Sequence, residues 1–223
     1  MKRAAFFSAL PLIGTIAAAA NQAPQTPNVL TPSEIAAGWE LLFDGKSIED
    51  WKASDSPGTF SVRDGEIIVH GPRSHLFYLG PIHQHKFKNF ELQADVLTRR
   101  GANSGIYFHT TWQPTGWPND GFEVQVNNSH SDPKRTAALY DVKDNYAAVA
   151  SDDEWFTMNI RVEGNHVVTR VNGNLIVDYI EAADWSAPKD HPGRRIASGT
   201  FALQGHDPAS ETHFRNIKVR VLP

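Results

Sequence analysis

The sequence predicts an all-β chain folded as one antiparallel β-sandwich of the jelly-roll type, on three observations. Roughly a dozen short runs alternate apolar and polar residues, the period of a strand buried on one face. Asp64-Gly65 and Asn172-Gly173 separate pairs of such runs, and Asp-Gly and Asn-Gly are the favoured chemistry of two-residue hairpin loops. Beyond one short turn near the start, no segment carries the apolar period of a helix. No internal repeat or mid-chain linker divides the chain, and a closed barrel is the alternative that the strand spacing allows.

In chain order, Lys2 and Arg3 precede an apolar, alanine-rich run ending in Ala18-Ala19-Ala20. A basic start, an apolar stretch and a small-residue cleavage site read as a signal peptide over residues 1–20, and so as a secreted or periplasmic protein. Pro11 and Gly14 interrupt that run, and no later run approaches the length of a membrane span. Residues 21–37 form a proline- and amide-rich extended lead-in that ends in one helical turn, with Thr31 as cap and Pro32 in the first position.

The jelly-roll domain takes residues 38–223. Strands are expected at 39–43, 59–63, 66–70, 76–79, 90–98, 105–109 and 122–127. Further strands fall at 136–142, 155–163, 166–172, 175–180, 200–204 and 212–221, with a loop over 181–199. Trp39, Phe43 and Trp51 are assigned to the core.

The 223 residues include 21 basic and 25 acidic side chains without long runs of either sign, for a formal charge of −4. That balance speaks against nucleic acid or an anionic membrane as partner. The absence of cysteine excludes a disulfide, a thiol nucleophile and a cysteine zinc site.

Three runs share one property. In Gly105-Ile106-Tyr107-Phe108-His109, alternation sends Ile106 and Phe108 to the core and Tyr107 and His109 away from it. Phe122, Val124 and Val126 likewise oppose Glu123, Gln125 and Asn127, and in 201–206 Gln204 and His206 take the non-core face. If these strands are neighbours in one sheet, a carboxylate, two imidazoles and several amides meet on one surface.

These residues also carry a family likeness. Trp39-Glu40-Leu41-Leu42-Phe43-Asp44-Gly45-Lys46 with Trp51, then Asn103-Ser104-Gly105-Ile106-Tyr107-Phe108, then Gly121-Phe122-Glu123-Val124-Gln125-Val126 stand in order. Glu154-Trp155, Val171-Asn172-Gly173, Phe201-Ala202-Leu203-Gln204-Gly205-His206 and Phe214-Arg215-Asn216-Ile217 follow. The set resembles the 3-keto-disaccharide hydrolase family, once a domain of unknown function, from about Gly38 to the C-terminus. His109, where many members carry arginine, and Phe156, where asparagine is usual, are subfamily variations. The resemblance implies a concanavalin-like jelly roll and an enzyme acting on glycosides already oxidised at C3.

A C3 ketone acidifies the C2 proton, so a base can remove it, the aglycone can leave from C1, and water can add back. Such a site needs a base, a proton donor to the leaving oxygen and donors to the enolate oxygen. Glu123 suits the base or the acid, and His206 and His109 can exchange protons near neutral pH. Asn103, Gln125 and Gln204 can bind hydroxyls or the enolate, and Tyr107, Trp112 and Trp117 can offer faces to a sugar, with Tyr140 counted beside them. Each of these polar groups is also readable as the wet face of an antiparallel strand.

A divalent metal stays open. His83 and His85 fall on one side of an extended segment, and His109, His206 and Glu123 can converge, although no H-E-x-x-H or calcium-loop pattern appears. Carbohydrate is the expected partner. A carbohydrate-binding module without catalysis is the main alternative. An ordinary retaining glucanase is disfavoured, because amides stand where its second carboxylate belongs on the strand.

Overall fold

The structure, a computed structural model, describes residues 26–223; the signal segment expected at 1–20 and residues 21–25 of the lead-in lie outside the described residues. In chain order the elements are α1 (Pro32–Ala36), β1 (Glu40–Leu41), β2 (Trp51–Ala53), β3 (Phe60–Arg63), β4 (Glu66–His70) and β5 (Ser74–Tyr78). They continue with β6 (Phe90–Thr98), β7 (Ser104–Thr110), β8 (Phe122–Val126) and β9 (Phe156–Glu163). β10 (His166–Val171), β11 (Asn174–Ile180), β12 (Thr200–Gly205) and β13 (Glu211–Val221) complete the chain.

Two antiparallel sheets result. The larger runs β11-β10-β9-β6-β13-β4-β3 with β1 also on β13, and the smaller runs β2-β5-β12-β7-β8. The alternation that predicted the strands also sorts their side chains. On β6, Phe90, Leu92, Ala94 and Val96 are buried, while Glu91 pairs with Arg220 (2.5 Å) and Asp95 accepts from Thr157 (2.8 Å) on the outer face. Across the sandwich Phe90 meets Phe108 of β7 and Phe201 of β12, with ring centres 5.7 and 4.9 Å apart. Each such fully buried ring contributes about 1.5–3 kcal/mol by leaving water.

Both hairpin turns form as their residues require. Asp64 and Gly65 have φ of 53° and 79°, and Asn172 and Gly173 have 49° and 80°, the paired positive values of a two-residue turn. The helical turn is capped by Thr31, whose hydroxyl accepts from Glu34 N while the Glu34 carboxylate accepts from Thr31 N.

Three expectations are corrected. Residues 136–142 form no strand, because Ala137 (φ 69°) and Asp141 (φ 60°) break the extended chain. The segment instead clasps the free edge of β8, with Ala137 N donating to Gln125 O (2.8 Å) and Tyr140 N to Glu123 O (3.0 Å). Trp39 is not core; it is half-buried on the outer face of the larger sheet, with Lys218 and Arg220 about it at 5.6 and 5.2 Å. Phe43 and Trp51 are buried as expected. Finally, 83–85 is not extended: His83, Gln84 and His85 all take left-handed φ (46°, 52° and 48°), which turns the two imidazoles apart. His83 pairs with Glu40 (2.7 Å) and His85 with Gly80 O (3.3 Å).

The lead-in is fastened across a bulge. β13 shifts register between Arg215 and Lys218, where Asn216 has φ 52°. Asn28 donates its N–H to Asn216 Oδ1 (2.6 Å), accepts from Asn216 N (2.9 Å) and donates its amide to Gly65 O (2.8 Å). Its side chain fills the space left by Gly45, where an added Cβ would lie 2.6 Å from the Asn28 amide nitrogen. Removing that side chain strands the Asn216 N–H. Asn28→Ala is therefore expected to lower unfolding stability by about 1–3 kcal/mol in a denaturant titration, and an unchanged midpoint would refute the staple.

Candidate active site

The outer face of the smaller sheet is built by register. Gln204 on β12 stands opposite His75 on β5, and Ala202 stands between Phe77 on β5 and Tyr107 on β7. Gly105 and Tyr107 on β7 face Gln125 and Glu123 on β8. Because all the opposite faces are apolar, every one of these side chains points away from the core.

Glu123 lies at the centre, only 6% exposed. Its Oε2 accepts from the Tyr107 hydroxyl (2.7 Å) and its Oε1 from Gln204 Nε2 (2.7 Å). Gln125, with its amide nitrogen turned toward acceptors, donates to Glu123 Oε1 (3.3 Å) and Ser104 O (3.0 Å). Arg194 Nη2 is 4.0 Å from Oε2. Burial pushes the carboxyl pKa up, and the Tyr107 hydroxyl, the Arg194 charge and the Gln204 amide only partly oppose it. Burial, reinforced by the Glu123 charge, likewise drives the Tyr107 phenol well above its usual value. Gly105 makes room for the carboxylate: a Cβ there would lie 2.7 Å from Glu123 Oε1.

These residues border a cavity of about 280 Å³, lined also by Asn103, Trp117, Asp132, Tyr140, His191, Arg194 and His206. His206 follows β12 directly. Its Nδ1 hydrogen-bonds Asp207 Oδ2 (2.8 Å), which makes Nδ1 the donor and leaves Nε2 to exchange protons. Burial would raise the Asp207 pKa, but hydrogen bonds from His206, Ser210 and the Ala209 N–H outweigh it and leave the carboxyl below its usual range. Ser210 in turn accepts from Asn103 N (2.9 Å), tying the start of β7 to the same turn.

Of the residues expected at the site, Glu123, His206, Asn103, Tyr107, Gln125, Gln204 and Tyr140 border this one cavity. Tyr107 serves as a hydrogen-bond donor to Glu123 rather than as a stacking surface. Two residues lie elsewhere.

His109 sits on a bulge of β7, with φ 56° where the register with β12 slips between Thr200 and Ala202. Gly121 and Gly199 press against its backbone, where any Cβ would collide with the carbonyls of Phe108 and Thr110. The ring therefore turns off the outer face, donating Nε2–H to Lys88 O (2.9 Å) and accepting Ala197 N at Nδ1 (3.2 Å). Burial lowers its pKa to about 4. Both nitrogens are spent on backbone, so His109 is withdrawn as a catalytic candidate.

Trp112 lies on the same sheet face but outside the cavity, packed against Phe77, Tyr107 and Ala202 with the Lys52 ammonium 3.6 Å from its ring centre. Trp117, from the same loop, borders the cavity instead.

Arg194, His191 and Asp132 belong to loops and were not anticipated. Arg194 is 3% exposed and donates to Tyr140 O (2.7 Å). Its loop is held against the Trp117 loop by Gly121 N donating to Gly193 O (2.9 Å). Asp132 is placed by Asn127, whose amide donates to Asp132 O (3.0 Å) and Lys134 O (2.8 Å), and its carboxylate accepts from Tyr140 (3.3 Å). Among the described residues no group of three or more histidine, aspartate or glutamate side chains is arranged to hold a metal ion.

Comparison with known proteins places this geometry. Residues 38–220 match the model of the 3-keto-alpha-glucoside-1,2-lyase-like domain. The chain belongs to that family. A 3-keto-disaccharide hydrolase of Bacteroides thetaiotaomicron is 27% identical, over 84% of this chain and 79% of its own. Two Parabacteroides distasonis proteins of solved structure, both provisionally named glycosyl hydrolases, share the fold. The first superposes with TM-score 0.76 at 23% identity (89% of this chain, 100% of the other) and the second with 0.67 at 25% identity (82% and 99%). The antiparallel jelly-roll sandwich expected from the sequence is thus the fold of the family member.

A buried carboxyl with a raised pKa carries a sign for stability. Protonated, it is accommodated; as pH rises from the unfolded glutamate value of about 4.3 through the raised folded value, the fold loses stability. Glu123→Gln is expected to raise the melting temperature at neutral pH, with the gain vanishing toward about pH 4. A variant less stable than the parent at pH 7 would contradict burial as the dominant influence.

Proposed function

We propose that the protein cleaves glycosides oxidised at C3, with Glu123 as the base that removes the C2 proton. The observation that carries this reading is the hydrogen bonding of Glu123. Both carboxylate oxygens accept, from Tyr107 and from Gln204, which suits the ionised form, while burial raises proton affinity. A base with those two properties is ready to take a carbon-bound proton.

The electron pair from the C2–H bond forms the enolate onto the C3 oxygen, where Arg194 and the Asn103 amide supply donors. Its collapse breaks the C1–O bond, and His206, oriented by Asp207, delivers a proton from Nε2 to the departing oxygen. Addition of water at C1, with return of a proton to C2, yields the 3-keto sugar and completes hydrolysis. Stopping before that addition gives elimination alone. Tyr140 and Trp117 border the space for the ring. The names of the family and of the Bacteroides relative support the substrate class. The basic, alanine-rich N-terminal sequence supports export to the periplasm or beyond.

The test is release of aglycone from a 3-keto-glucoside by the purified protein. Glu123→Gln should lower turnover by about a hundredfold or more. The acid limb of the kcat/KM profile should lie above the ordinary glutamate value of about 4.3, with activity falling as pH drops through it. Gly105→Ala, which displaces the carboxylate while leaving the core untouched, should cost about a hundredfold with unchanged circular dichroism. A ligand bound but returned intact would make the protein a binding module and end the proposal.

A further inference from the structure

His75 projects from β5 onto the site face, directly opposite Gln204. It is fully buried, edge-on to the rings of Tyr107 and Trp117, each 5.4 Å away. Neither imidazole nitrogen has a protein hydrogen-bond partner, and neither has Gln204 Oε1 beside it. A neutral imidazole always presents one donor and one acceptor, and burying them unpaired is unfavourable. Folds retain such groups where something other than folding requires them. Burial pulls the His75 pKa down to about 3, so at neutral pH the ring is uncharged. One donor and two acceptors on a single floor match sugar hydroxyls, each of which both donates and accepts.

Gln204 reaches the cavity, whereas His75 lies outside its lining, under Trp117. Trp117 borders the cavity, touches His206 with ring centres 5.4 Å apart, and keeps 38% of its surface exposed. The loop that carries it has Gly116 immediately before it, at φ 85°, and Gly121 at its end, at φ 78°. The indole is thus a surface cover resting on His75, not a core residue. β5 lies three strands from β8. At about 4.8 Å per strand that is roughly 14 Å. One ring held at Glu123 does not span it, and a second ring linked to the first does.

We propose that Trp117 is the movable wall of a second sugar subsite, and that His75 and Gln204 Oε1 hydrogen-bond the leaving ring of a disaccharide once the indole swings aside. The inference rests on the keto-glycoside reading for which ring leaves, and makes His75 a residue that selects the leaving group.

The experiment compares two substrates, a 3-keto disaccharide of two hexoses and methyl 3-keto-glucoside, on the parent, His75→Leu and His75→Asn. His75→Leu should lower kcat/KM for the disaccharide by about tenfold to a hundredfold and leave the methyl glucoside within about twofold. Its melting temperature should hold or rise, because a buried unpaired polar group is gone. His75→Asn, which keeps a donor and an acceptor, should recover part of the disaccharide activity. Equal loss on both substrates, or a lowered melting temperature in His75→Leu, would overturn the subsite and assign His75 a structural role. Calorimetric binding of the unoxidised disaccharide, lost in His75→Leu, gives a readout independent of turnover. A parent protein that binds it through His75 yet cleaves neither keto substrate would retain the subsite and remove the proposed reaction.

Discussion

A carboxylate taken out of water is the constraint around which the smaller sheet is arranged. An isolated buried charge is intolerable, so Glu123 must be met by donors. Tyr107 supplies one from the neighbouring β7 and Gln204 another from β12 beyond it, and Arg194 adds a compensating charge from a distant loop. Those donors exist only if β12, β7 and β8 lie side by side in the observed register. Gly105 must also lack a side chain, since the carboxylate occupies its place. The hydrophobic sandwich below can be viewed as the platform that holds these three strands in line, with Phe90, Phe108 and Phe201 locking one sheet to the other.

Local pattern made much of this legible. The alternation along 90–98 and 122–126 sorted buried from outward residues correctly, and the Asp64-Gly65 and Asn172-Gly173 turns took the conformation their residues favour. Glu123, Gln125, Gln204 and Tyr107 came together for the same reason: period two fixes the face, and strand pairing does the rest. The reasoning failed where the period itself is broken. His109 was counted onto the outer face by alternation, but the register slip between Tyr107 and Thr110 puts it on a bulge, at φ 56°, and the ring turns away. Nothing within 105–110 announces that bulge. Its enabling residues, Gly121 and Gly199, are far away in the chain.

Loops were the other blind spot. Arg194 sits in a segment with no periodicity, and its approach to Glu123 depends on tertiary closure, not on any local preference. Trp112 and Trp117 are five residues apart in one loop, and composition offered no reason to choose between them. Residues 136–142 looked like a strand because they are apolar. They are apolar because they cover an edge, with two left-handed residues steering Tyr140 over the cavity.

The contact between Gly193 and Gly121 has a consequence for how such a scaffold changes its preferences. Two separate stretches of chain, one bearing an indole and one a guanidinium, are stitched by backbone at a point where neither tolerates a side chain. Lengthening one without the other would tear the seam. Diversification should therefore proceed by exchanging both stretches together, as one cassette on an unaltered sandwich.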